Sequence, residues 1–576
     1  MKSTYKTILP AGHLNNLYLS TAPLSKCWFW FYASLLGSIV LAGCWLRFKG
    51  LGSTVVQMDE IHSVINGVSN SFPWILSNFT YFDSCIPLSL YIKLLTTAGF
   101  GITESVVRLP GALAGAMTLV LWGWFLLPRV TLFQTLSTVA LIAFSPYLVY
   151  LSREARPYPI VVFLVSGAVF SLVAWLESKK QHSLFASAIF SSLALFFHPI
   201  ALPALCILWA FPLAQWATSR ERCIHLRDYA IGATIAAGCT LLLLGPSLVS
   251  LLGQFGVKGG SSYVDLDTVR YGVLPIFGIK FTPNPFLWVL MAVFGAMAVP
   301  GRLKPVSICL LTMAAGQFLF LAVTKPVCAQ VPMVWLRYWS FLIPFFLFFL
   351  SSALHYTVQA LLKNKSAMSL VGAGLGIIFF GYNFLKFNYD VTMNGNYGRM
   401  PIVMYMPCDL TAFDADNKIP QFYKYLAASD EKMAVVETPI DVNYPIYGLY
   451  QRYHKKEIYA GALGSHIYQD IWGTSKDLAF ERIIPMNSGL PAGIQAKARY
   501  LIVHKKLWAE LTNIYDILQF HKPFQMQAHG GEIFASAGNK MFFANLDLTT
   551  EDLQKIPLTP CFEDEYLQVF DLRQLP

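Results

Sequence analysis

The chain has 576 residues, 55% of them hydrophobic and only 13% charged, and a mean hydropathy of +0.50. Soluble globular proteins carry roughly a quarter charged residues, so the composition excludes that class and points to a multi-pass membrane protein. The formal charge of +10 would suggest nucleic acid in a soluble chain, but here Lys and Arg fall in short gaps between apolar runs. No basic cluster sits on a soluble segment, which argues against nucleic-acid binding.

Residues 1–26 are polar and too long ahead of the first apolar run for a cleaved signal, and read as a cytoplasmic lead. Residues 27–46 then supply the approximately twenty apolar residues that cross a bilayer. Lys2, Lys6 and Lys26 precede this run, so the positive-inside rule sends it outward and leaves Asp59 and Glu60, in QMDEIHS, outside. The piece IPLSLYIKLLTTAGF, 86–100, is short and carries Lys93 in its middle, which suits an interfacial or re-entrant helix better than a span.

With that reading the later spans alternate: 109–127, 131–150, 157–176, 183–197, 201–217, then those starting near Ala230, Pro285, Pro305, Tyr338 and Ala367. Arg129, Lys179, Lys180, Arg220, Arg222, Arg227, Arg302, Lys304, Lys363 and Lys365 all fall inside, whereas counting 86–100 as a span would put the later clusters outside. The expected fold is therefore an α-helical multi-pass membrane protein of roughly eleven spans with interfacial helices. Residues 27–388 form the membrane part, with an outer-face loop at 47–108.

From 389 to 576 the composition changes to regular charge, turn-forming residues and short β-rich pieces, MAVVETP, RYLIVHKK and YLQVFDL, beside the helix-like FYKYLAAS. This reads as a soluble α/β domain outside the membrane. Its Cys408 and Cys561 would face an oxidising compartment, where a disulfide and two separate thiols are both open. No C-x-x-C pair, internal repeat or catalytic motif is visible there.

Ionisable groups at membrane depth are costly and are candidates for function. The outward segments bring Asp59, Glu60 and His62; Lys93 and Arg108; Arg153, Glu154, Arg156 and Tyr158 in LSREARPYP; His198; and Arg337 with Tyr338. Each has an ordinary reading as well. An acidic pair in a loop is usually a solvated face, and Arg153 and Arg156 suit lipid-phosphate anchoring as well as substrate binding. His198 before Pro199 is commonly a helix-end histidine, and Lys93 and Arg108 also suit interfacial anchoring. The GALAG and GAGLG patterns sit inside apolar spans and are packing surfaces rather than phosphate loops.

In order, an opening span, LRFKGLG, MDEIHS, a short helix, VRLPGALAG, AFSPYLVYLSREARPY, a histidine before the fifth outer turn and RYWSFLIPFF resemble the C-type (GT-C) membrane glycosyltransferases. Within that class they look most like bacterial relatives of the protein O-mannosyltransferases and of the lipid A aminoarabinose transferase. The resemblance covers about residues 27–390, and the outer domain is similar only in position. It implies inverting sugar transfer from a polyprenyl-phosphate donor to a hydroxyl acceptor, a lipid, glycan or protein, at the outer face of the cytoplasmic (inner) membrane. The C-terminal domain would then be periplasmic.

Asp59 matches the family's base position, which fits a carboxylate taking the proton of an attacking hydroxyl. Glu60 takes a supporting or metal-contacting role; a divalent metal ion at Asp59 and Glu60 is left open, since hard oxygen sites leave little spacing signature. Arg153, Arg156, Lys93, His62 and Arg337 are available to the charge growing on the leaving phosphate. The chain departs from the aminoarabinose branch at His62, at Arg156 with Glu154 nearby, and at Asp83 in YFDSCIP, where a basic residue is usual. These changes bear on the lipid A substrate and leave the reaction class intact. The competing classes are a transporter or lipid flippase, which calls for inverted repeats and broken helices, and a non-catalytic cell-envelope scaffold.

Overall fold

The computed structural model describes residues 26–52, 58–79, 85–218, 226–258, 285–299, 303–326, 332–361, 419–438, 453–459, 498–505, 526–529, 532–535 and 559–574, with isolated positions between them. The lead, the span expected near Ala367 and Cys408 lie outside the described residues.

The membrane part opens with α1 (Lys26–Phe48), α2 (Met58–Ser69), α3 (Phe72–Ser77), α4 (Ile86–Thr97) and α5 (Glu104–Leu126). A broken pair, α6 (Leu132–Phe144) and α7 (Pro146–Ser152), leads to α8 (Tyr158–Ser178), α9 (Gln181–Phe197), α10 (Leu202–Thr218), α11 (Leu226–Leu244) and α12 (Leu248–Lys258). It ends with α13 (Pro285–Ala298), α14 (Lys304–Thr324), α15 (Pro332–Arg337) and α16 (Ile343–Leu361). Among the described residues, seven helices are long and apolar enough to cross a membrane, or up to eight if the bent pair is one span. Two more expected spans correspond to the shorter apolar helices α9 and α13. At twelve residues α4 is about 18 Å long, well short of a bilayer's apolar core of about 30 Å.

Residues 131–150, expected as one straight span, are instead bent by 57° between α6 and α7. The cause is Pro146: it has no N–H for the carbonyl of Ile142, and it pushes Ser145 out of the helical region, to φ −59 and ψ 116. In lipid no water can replace the lost bond. Arg47, near the end of α1 and 1% exposed, does so. Its Nη2 donates to Ile142 O at 3.2 Å, and its Nη1 to Ala143 O at 3.0 Å and Gly43 O at 2.8 Å. The approach requires Gly115 on α5, where a Cβ would lie 2.9 Å from Arg47 Nε and collide with the Ser152 hydroxyl.

The same substitution recurs at Pro110 inside α5. Val106 O, the carbonyl that Pro110 cannot serve, accepts the Tyr91 hydroxyl of α4 at 3.0 Å. An interfacial helix thus completes a spanning one.

Outside these helices, α17 (Gln421–Ala428) covers one face of a five-stranded sheet ordered β2-β1-β3-β7-β6. Its strands are β1 (Ala434–Thr438), β2 (Glu457–Tyr459), β3 (Ala498–His504), β6 (Phe562–Glu563) and β7 (Leu567–Asp571); β4 (Met526–His529) and β5 (Glu532–Ala535) pair separately. β1 is parallel to β2 and β3, while β7 is antiparallel to β3. The expected strand and helix pieces are present. Phe422, Tyr423 and Leu426 of α17 pack on Val435, Tyr500, Ile502, Leu567 and Val569. The core also holds a polar network: Glu437, fully buried, accepts from the Tyr423 hydroxyl at 2.8 Å and pairs with His504 Nε2 at 2.7 Å. His454 stacks on Tyr423, and burial, with Lys456 nearby, lowers its pKa to about 3.

Two outcomes are expected. Arg47→Met strands the carbonyls of Ile142 and Ala143, at about 1–3 kcal/mol per unsatisfied group, and lowers the melting midpoint in detergent. Adding Pro146→Ala, which restores an N–H for Ile142, recovers part of the loss. Because the folded pKa of His454 is depressed, the unfolded chain binds its proton first, so the domain's stability is full above about pH 6.5 and falls as pH drops below it. Hydrogen exchange of β1 and β3 peptides in the full chain, corrected for intrinsic rates, should accelerate between pH 6.5 and 5, and His454→Gln should flatten that slope.

Candidate active site

The helix α2 starts with the MDEIHS stretch, so Asp59 and Glu60 fall in its first turn, where the helix dipole favours negative charge. Glu60 is 4% exposed. Both its oxygens are engaged: Oε1 accepts from Arg108 Nε at 2.8 Å and from the Ala155 backbone N–H at 2.7 Å, and Oε2 accepts from Arg108 Nη2 at 2.8 Å. Arg108 Nη1 also donates to Leu51 O at 3.0 Å. A two-pronged guanidinium–carboxylate pair of this kind is strong and directional. It ties α2 to α5 and to the loop after α7. The other side of α2 meets α4, where Asn66 Nδ2 donates to Ser89 Oγ at 3.1 Å. Asp59 and His62 belong to α2, and their side chains lie outside the described residues.

The loop after α7 carries the next group. Arg153 donates to Leu46 O at 3.3 Å and Gly50 O at 2.9 Å, closing the end of α1. Glu154 accepts the Tyr150 hydroxyl one turn back. Arg156 places its guanidinium carbon 5.8 Å from the centre of the Tyr158 ring, and Arg337, from the end of α15, places its own 5.9 Å from the same ring. The His198 ring lies 5.5 Å from Tyr158, held by its Nδ1 accepting from Ile200 N at 3.2 Å. Arg156, Tyr158 and Arg337 are all buried. Each cation is stabilised by the ring's π face. A pair of guanidiniums on one ring has the donors to give an anion charge-assisted hydrogen bonds.

The structure thus gathers Arg156, Tyr158, His198 and Arg337, from three chain segments more than 180 residues apart at the extremes, into one cluster. Glu60 and Arg108 form a separate clamp beside it, joined through Ala155, next in chain to Arg156. Lys93 stands apart, its Nζ 3.4 Å from Val68 O where α4 meets α2. Sequence reasoning missed Arg47, although it lies in the LRFKGLG stretch. The signal was available in Pro146, which leaves a carbonyl in need of a donor. Among the described residues no three of His, Cys, Asp and Glu come together as a metal-ion set, and an ion bound directly by Glu60 would have to displace Arg108.

No protein-family model matches the chain, and no curated protein matches it. Among solved structures it is similar to ArnT from Cupriavidus metallidurans bound to undecaprenyl phosphate, at 11% identity over 95% of this chain and 98% of that one, with a TM-score of 0.50. It is also similar to the Archaeoglobus fulgidus oligosaccharyltransferase in complex with Zn and sulfate, at 12% identity over 83% of this chain and 69% of that one, TM-score 0.43. A third is the S. cerevisiae protein O-mannosyltransferase Pmt1-Pmt2 complex bound to the sugar donor, at 16% identity over 48% of this chain and 39% of that one, TM-score 0.32. At such identities the likeness is one of fold, and the first of these carries it. The fold is the GT-C one, a helical multi-pass membrane body followed by a C-terminal domain that includes a sheet.

Breaking the clamp tests its structural weight. Glu60→Gln leaves a buried guanidinium without its counter-charge and should destabilise the protein by about 3–5 kcal/mol. The double variant Glu60→Gln, Arg108→Met should recover part of the loss, read from melting midpoints in a double-mutant cycle.

Proposed function

We propose that the protein transfers a sugar from a polyprenyl-phosphate donor to a hydroxyl acceptor, at the outer face of the cytoplasmic membrane. The observation that carries this reading is the convergence of the Arg156 and Arg337 guanidiniums on Tyr158 beside His198. Two buried guanidiniums gathered on one tyrosine ring suit a phosphate whose negative charge grows as a sugar leaves it. The GT-C fold supports the reading, as does the undecaprenyl phosphate bound by the ArnT neighbour.

In this scheme Asp59 takes the proton of the acceptor hydroxyl as its oxygen attacks the anomeric carbon. The bond from that carbon to the phosphate oxygen breaks, and its electrons pass to the phosphate held by Arg156 and Arg337. A single displacement through an oxocarbenium-like state inverts the anomeric configuration. Glu60 does not itself meet substrate; it holds the α2 backbone that carries Asp59 in fixed relation to Arg108 and to the Arg156 loop. Arg153 closes the end of α1 as an anchor, and Lys93 anchors α4 to α2. His62, three residues after Asp59 in the chain, is proposed to assist with the leaving phosphate, and the soluble domain stands on the outer side.

Among the described residues, the break between α6 and α7 is the feature that favours a transporter. Its freed carbonyls are already served by Arg47 rather than offered to a cargo ion.

Purified protein in proteoliposomes, supplied with a panel of polyprenyl-phosphate sugars and candidate acceptors, should show transfer. Asp59→Asn should reduce it by about 10²–10⁴-fold without loss of folded protein. Full transfer by that variant would refute the base assignment. Arg156→Met and Arg337→Met should each raise the donor KM more than they change protein yield.

A further inference from the structure

The loop that carries Arg153, Glu154 and Arg156 rests on one position of α5. At Gly111 a Cβ would lie 3.0 Å from Glu154 O and 3.3 Å from both Ser152 O and the Pro159 ring. Ordinary van der Waals contact begins near 3.4 Å, so two loop carbonyls and the first turn of α8 close on a residue with no side chain. Other glycines of the membrane helices are placed differently. Further along α5, at Gly123, a Cβ would meet its neighbours only at 3.9 and 4.0 Å, and at Gly37 on α1 it would meet nothing within 4 Å.

Glu154 O belongs to the peptide unit that joins Glu154 to Ala155. The N–H of that same unit donates to Glu60 Oε1 at 2.7 Å. In a trans peptide these two groups point in opposite directions, so the unit is held between Gly111 of α5 on its carbonyl side and Glu60 of α2 on its amide side. A bond of 2.7 Å is already at the short end of the N–H to O range. The unit therefore has no slack toward Glu60, and a methyl group at position 111 would force it to give by a few tenths of an ångström. That displacement passes along the chain to Arg156, the next residue, and across the hydrogen bond to the turn of α2 that carries Asp59.

We propose that Gly111 is a positioning residue for donor binding: its missing side chain seats the Arg153–Arg156 loop and so sets the reach of Arg156 toward the donor's phosphate. The proposal rests on reading Arg156 as a phosphate ligand. Gly111 acts only through the peptide unit between Glu154 and Ala155. A misplacement of about one ångström costs up to about 10²-fold in a preorganised site, and a few tenths should cost about tenfold.

The experiment compares Gly111→Ala with Gly37→Ala in the full chain in nanodiscs. Both variants place Ala inside a helix, where it is favoured over Gly, and only the first pushes a methyl group into the loop. The probes are undecaprenyl phosphate and undecaprenol, which has the same tail and no phosphate. The wild type should bind undecaprenyl phosphate more tightly than undecaprenol. Gly111→Ala should weaken undecaprenyl phosphate about tenfold, with undecaprenol within about twofold of wild type and the melting midpoint within about 2 °C. Hydrogen exchange of a peptide spanning Arg153–Arg156 should accelerate in that variant, and Gly37→Ala should match the wild type throughout. Unchanged affinity for undecaprenyl phosphate, equal weakening of both lipids, or a Gly111→Ala chain that cannot be recovered folded would show a packing role and overturn the proposal. A wild type that binds both lipids alike would overturn the reading of Arg156 instead. The exchange of the loop then decides for Gly111 alone: acceleration confined to Gly111→Ala keeps it as the seat of the loop, and unchanged exchange removes that role too.

Discussion

A broken helix inside a membrane must find new hydrogen-bond donors, because lipid supplies none. Much of the architecture around the site follows from that constraint. Pro146 breaks the second half of the α6–α7 span, and Arg47 reaches from α1 to serve Ile142 and Ala143. Pro110 frees a carbonyl within the continuous helix α5, and Tyr91 of α4 serves Val106. Each proline thereby fastens two helices through a side chain: α1 to α6 at Pro146, and α4 to α5 at Pro110.

The consequence is a site whose parts are held from several sides. The α6–α7 bend aims the chain so that Arg153 closes the end of α1 and Arg156 turns toward Tyr158. Glu60 then binds Arg108 of α5 and the Ala155 backbone together. A buried ion pair is a weak source of stability in net terms, since both charges lose water. Its value here lies in register: it fixes α2 against the loop that carries Arg156, and displacing either by about an ångström would degrade the alignment that the proposed transfer requires.

The soluble domain follows different rules. There, α17 lays apolar residues on a mixed sheet, and the Tyr423, Glu437 and His504 network is buried in that core with its hydrogen bonds made. Such a network makes packing specific, because a half-satisfied version would cost more than an apolar one.

Much of this was legible in the residues themselves. Runs of about twenty apolar residues fix where spans lie, because the bilayer's thickness sets their length. The β-rich pieces MAVVETP, RYLIVHKK and YLQVFDL marked β1, β3 and β7 but not the shorter strands, and the order of MDEIHS, VRLPG and SREARPY pointed to the outer face as the place for chemistry. Period and composition, however, do not say which charges meet. Glu60 and Arg108 are 48 positions apart, and nothing in their spacing distinguishes a clamp from two surface anchors. Only the packed helices decide that Arg156 and Arg337 share one tyrosine ring and that Arg47 answers Pro146. The reason is physical: spans and strands are set by local transfer free energy, whereas the pairing of polar groups is set by which backbone and side-chain atoms lose water together when the helices pack.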